Sequence, residues 1–117
     1  MLDVEITGRG KRRVLFLSGQ MDLDNASQLD RALEAVCADG AREVVLNLQK
    51  LDFIDSTGLG TILSGRTFCS QHGCLYFIDT PVPASLKRLF TVTGLQRHLP
   101  LKQRRKAPPS ASRAPRP

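Results

Sequence analysis

The sequence predicts an α/β domain: a small mixed β-sheet in the order β-β-α-β-α-β-α, with helices packed on it. Three observations carry this. Compact apolar runs of strand length recur at 13–19, 43–48 and 74–79. Between them, apolar residues change to helical spacing. Glycine or proline punctuates the changes. A helix between two buried strands makes a crossover with parallel strands, and a leading hairpin adds an antiparallel edge.

Residues 3–7, "DVEIT", alternate polar and apolar, and "GRGK" (8–11) supplies turn chemistry. "RVLFLSG" (13–19) is the second strand of this hairpin and more apolar than the first. From Asp24 the period changes: Ala26, Leu29, Leu33, Val36 and Cys37 form one stripe. Asp24 or Asn25 is the expected cap of this helix and Gly40 its stop. "EVVLNL" (43–48) is the next strand. After Ser56 a second helix places Leu59, Ile62, Leu63 and Cys69 on much of one face and ends at Gly73. "CLYFID" (74–79) is a further buried strand. Pro81 and Pro83 precede a third helix, lined by Leu86, Leu89, Phe90 and Thr93 and stopped at Gly94. A short strand or turn is expected near 96–100.

Residues 1–100 form the expected domain. The net charge of +6 belongs wholly to residues 101–117. These carry Lys102, Arg104, Arg105, Lys106, Arg113 and Arg116 and no acid, which leaves 11 basic and 11 acidic groups in 1–100. The segment is basic and Pro-rich, and is expected to be disordered. The globular part is therefore no basic nucleic-acid binder by charge. No apolar run reaches the ~18 residues of a membrane span. The first residues lack the basic-then-apolar order of a secretory signal, so a cytoplasmic protein is expected. Three cysteines without framework spacing are expected to be reduced. Cys69, His72 and Cys74 lie close in sequence but offer three ligands where zinc prefers four. Ordinary packing explains them, and neither metal nor cofactor is expected.

The informative stretch is "LDFIDSTGLG" (51–60), where a strand hands over to a helix. Ligands and chemistry gather at such junctions in open α/β sheets. A nucleophile's turn needs Gly-x-Ser-x-Gly, but Ile54 stands two before Ser56, and His72 lies at the far end of the helix that Ser56 begins. An aspartic protease has one residue fewer between acid and glycine. A phosphate loop needs a following Lys that "GLGTILSGRT" lacks. Two readings stay open. Asp55 or Ser56 caps the helix, or Ser56 accepts a phosphate, with Gly58 leaving room for another chain to approach.

"FIDSTGLG", preceded by "VVLNLQKLD" and followed by "LYFID", resembles the STAS-domain anti-sigma factor antagonists. "LSGQMDLDNA" and "LKRLFTVTGL" extend the similarity over roughly residues 3–100. The resemblance implies a non-enzymatic protein that binds an anti-sigma factor, itself a serine kinase, and so frees a sigma factor for transcription. It implies phosphorylation of Ser56, with Thr57 the secondary candidate, then release of the partner, and a phosphatase that restores the serine. Asp22, Asp55, Ser56, Thr57 and Gly58 are the implied partner-binding residues. The chain departs from the family pattern at Gln20, where Glu is usual, and in its basic tail. The alternatives are a STAS scaffold subunit of a larger signalling assembly, and an adaptor that meets nucleic acid or a membrane surface through the tail.

Overall fold

The computed structural model describes residues 1–93 and 101–103. The chain runs β1 (Leu2–Thr7), β2 (Arg12–Met21), α1 (Ser27–Ala38), β3 (Glu43–Ile54), α2 (Ser56–Gln71), β4 (Leu75–Thr80), α3 (Ala84–Thr93) and β5 (Leu101–Gln103). The five strands lie in sequence order in one sheet. β1 pairs antiparallel with β2, and each later neighbour pairs parallel. The mixed sheet expected from the periodicity is therefore the observed one.

β3 shows why. Val44, Val45, Leu46, Asn47 and Leu48 are buried in succession, the pattern of a strand covered on both faces. Beyond them β3 continues to Ile54, six residues past the end expected from the apolar run. Gln49 and Lys50 are exposed and break that run; the Gln49 N–H donates to Asn47 Oδ1 (3.0 Å), and the ladder with β2 resumes at Lys50, opposite Ser18. Register shifts between Phe16 and Ser18, and between Gly19 and Gln20, let the pairing reach Met21↔Ile54. These irregularities sit where β2 and β3 deliver the candidate site, a common place for them.

α1 and α2 pack on each other, with α1 also on β1, α2 on β3 and β4, and α3 on β3. Leu29, Leu33 and Val36 of α1, Ile62 and Cys69 of α2, and Leu86 and Phe90 of α3 all enter the core. Tyr76 of β4 is buried and donates its hydroxyl to the carbonyl of Ile62 (2.6 Å), tying β4 to α2.

Two sequence expectations are corrected. Neither Asp24 nor Asn25 caps α1; Ala26 occupies that position without a side-chain cap bond. Asn25 instead accepts from the N–H of Asp22 (2.9 Å) and donates to the carbonyl of Gln20 (2.9 Å), holding the turn before the helix. The domain also exceeds residue 100, because Leu101–Gln103 pairs with Ile78–Thr80. Backbone pairing recruited a segment that composition assigns to the tail. The element expected near 96–100, Gly94 and residues 104–117 lie outside the described residues.

Candidate functional site

The parallel strands β2 and β3 end side by side, and the N–H of Asp55 donates to the carbonyl of Met21 (3.1 Å). Asp55 is extended (φ −98°, ψ −176°) and caps α2. Its carboxylate works in two directions: Oδ1 accepts from the N–H of Gly58 (2.8 Å) and Oδ2 from the N–H of Leu23 (3.1 Å). One side chain thus closes the first turn of α2 and fastens the β2–α1 turn beside it. Asp22 stabilises that turn from within, its Oδ1 accepting from the N–H of Asp24 (3.0 Å) and its carbonyl from Asn25 and Ala26.

On this frame Ser56 and Thr57 are the first two residues of α2, and both are exposed. Among the described residues, no side-chain hydrogen bond engages the Ser56 hydroxyl. A negative group added there meets the unpaired N–H groups and positive end of the helix. The half-buried Asp22 and Asp55 and the exposed Asp24 and Asp52 oppose it.

Gly58 packs on the strand ends. It is buried, and a Cβ there would lie 2.8 Å from Cγ1 of Ile54 and 3.0 Å from Cγ of Met21. The missing side chain lets α2 settle on the ends of β2 and β3.

The structure brings Asp22, Asp55, Ser56, Thr57 and Gly58 to one corner. It adds two residues that sequence reasoning does not single out. Leu23 is 73% exposed in the turn fastened to Asp55, and Phe53 is 51% exposed two residues before Asp55. A large apolar residue inside the polar turn "MDLDN" is the signal that marks Leu23 in the sequence.

Among the described residues, no second group that would activate Ser56 is near. His72 follows the last turn of the 16-residue α2, on the order of 24 Å along the axis. Its Nδ1 lies 2.9 Å from the carbonyl of Phe68, with the two ring centroids 4.2 Å apart and the planes tilted by 31°. His98 lies outside the described residues. The thiols Cys37, Cys69 and Cys74 are free and lie at that same far end. Burial pushes the Cys74 thiol up to about 11 and Cys69 still higher, so neither is a ready nucleophile.

The STAS domain family model matches residues 3–107. An anti-sigma-B factor antagonist of Staphylococcus aureus is 30% identical over 96 residues, spanning 81% of this chain and 87% of the relative. The chain belongs to the STAS-domain anti-sigma factor antagonist family. Solved structures agree in fold. An anti-sigma factor antagonist from Mycobacterium paratuberculosis superposes with a TM-score of 0.73 at 23% identity, over 97% of this chain and 92% of that one. The Bacillus cell fate determinant SpoIIAA in its phosphorylated form gives 0.66 at 18% identity, over 97% and 98%. No helix among the described residues of this STAS protein is long and apolar enough to cross a membrane.

Proposed function

We propose that this STAS protein binds an anti-sigma factor that is also a serine kinase, thereby releasing a sigma factor, and that phosphorylation of Ser56 ends the binding. The exposed, unengaged hydroxyl of Ser56 at the first residue of α2 carries this reading. The S. aureus relative, an anti-sigma-B factor antagonist, supports the partner class. SpoIIAA, which shares the fold, exists in a phosphorylated form.

The switch is electrostatic and local. A phosphate adds about −1.5 to −2 charge at the tip of α2. The helix terminus tolerates it, so the fold persists. A partner packed over Ser56, with Leu23 and Phe53 as apolar contacts, does not. Asp22 and Asp55 act by holding the two loops of the face in register, and Thr57 is the secondary acceptor. A phosphatase acting on phospho-Ser56 resets the protein.

The reading is of a binding protein rather than an enzyme, because both Asp55 oxygens already accept backbone N–H bonds and His72 is remote. It places the protein in the cytoplasm, in keeping with three free thiols. Incubation with candidate anti-sigma kinases and ATP, followed by mass spectrometric mapping, tests it. Phosphate should appear on Ser56 and be lost in Ser56→Ala. Equal labelling of Ser56→Ala and wild type overturns it.

A further inference from the structure

The far end of α2 holds a second constellation. Cys37 comes from the last turn of α1, Cys69 from the last turn of α2, and Cys74 from the residue before β4. Their sulfurs all lie within 4.8 Å of one another. The sequence pairs Cys69 and Cys74 with His72. The fold turns His72 to Phe68 and brings in Cys37, 32 residues upstream of Cys69.

Local geometry fixes two of the three. Gly73 adopts φ +71°, a conformation that costs glycine little. The chain then doubles back, and the N–H of Cys74 donates to the carbonyl of Cys69 (2.8 Å). Cys69 and Cys74 are buried; Cys37 is half-buried and gives the cluster its side open to solvent.

We propose that Cys37, Cys69 and Cys74 form a three-sulfur site for a soft, thiophilic metal ion, with Cu(I) as the best-matched ion. Metal–sulfur bonds of about 2.3 Å around one ion set the sulfurs roughly 4.0 Å apart in a trigonal plane. The observed spacing thus needs closure by less than about 1 Å, within reach of Cys37 at its helix end. Thiolates select soft ions. Among the described residues the cluster offers no fourth protein ligand, so it falls short of the four-ligand closed site of structural Zn(II) and suits a three-coordinate ion. Each ligating thiol gives up its proton to solvent as the metal–sulfur bond forms, without change of oxidation state. Arg42 acts electrostatically on Cys74 and offsets part of the resulting negative charge.

The test is an anaerobic titration of the reduced full chain with Cu(I) against a chromogenic Cu(I) chelator. One Cu(I) per chain should be withdrawn from the chelator, with a rise in Tm. X-ray absorption of the wild-type complex should count three sulfur neighbours near about 2.3 Å. Cys37→Ser, chosen because Cys37 is the least buried, should remain folded by circular dichroism. It should lose more than about tenfold in affinity, since even outer-shell changes cost that much. Failure of wild type to compete with the chelator overturns the site. So does unchanged affinity in Cys37→Ser, a count of two sulfurs, or tighter retention of Zn(II) than of Cu(I). A mass loss of two hydrogens without retained metal would also overturn it, marking a disulfide pair instead. Ser56 phosphorylation is measured separately, so neither result depends on the other.

Discussion

Replacing Asp55 by Ala tests whether one carboxylate holds two loops together. The change deletes the cap bond from Gly58 N–H at 2.8 Å and the bond from Leu23 N–H at 3.1 Å. Loss of a cap costs about 1 kcal/mol. A hydrogen bond to a charged acceptor contributes about 1.5–3 kcal/mol, and the exposure of Leu23 puts its bond at the low end. The sum is about 2–3 kcal/mol, or roughly 10 °C or more in Tm for a domain of this size. Asp55→Asn separates the two parts. Its oxygen can still accept from Gly58, while its NH2 group faces the Leu23 donor, so it should lose about 1–2 kcal/mol. Urea denaturation with unchanged m-value measures both, and amide exchange at Leu23 reports the turn. Asp52→Ala, an exposed neighbour, is the control and should stay within about 0.5 kcal/mol of wild type. An Asp55→Ala variant as stable as that control, with Leu23 exchange unchanged, refutes the two-way tie.

Ser56→Asp should weaken binding to the partner kinase in calorimetry while circular dichroism stays that of the folded protein; equal affinity for both proteins rejects the charge switch. Gly58→Ala should destabilise by about 1 kcal/mol, because overpacking against Ile54 and Met21 outweighs the gain in helix propensity. A stabilised variant in chemical denaturation would show that the space is open after all. Tyr76→Phe should cost about 1 kcal/mol through the lost bond to Ile62, measured the same way. Stability should also fall in alkali. The Cys74, Cys69 and Tyr76 groups are held protonated in the fold, chiefly by burial, so the unfolded chain releases protons first as pH rises. This stability is fully present below about pH 9 and declines as pH rises toward the folded value of about 11 for Cys74. A flat profile from pH 8 to 11 in urea denaturation contradicts it.

Much of the fold was legible because its signals are local. The apolar runs of β2, β3 and β4, the helical stripes, and the glycines after α1 and α2 each report a backbone preference that needs no neighbour. Asp55 before Ser56 was readable as a cap for the same reason. The charge split between the domain and its basic extension is likewise a property of composition.

What the sequence left open depends on contacts between distant segments. Gln49 and Lys50 looked like the end of a strand, yet pairing with β2 carries β3 on to Ile54. Asn25 looked like a helix cap, but the carbonyl of Gln20 and the N–H of Asp22 compete for it successfully. Gly58 invited a partner in the sequence and receives Ile54 and Met21 in the fold. The second oxygen of Asp55 finds Leu23 across 32 residues. Cys37 reaches Cys69 and Cys74 only because α1 packs on α2. The sequence by itself determined the first seven elements, their order and the hydroxyl at the start of α2. Tertiary packing alone decided which side chains meet there and at the opposite end, because those meetings depend on geometry that local propensity does not encode.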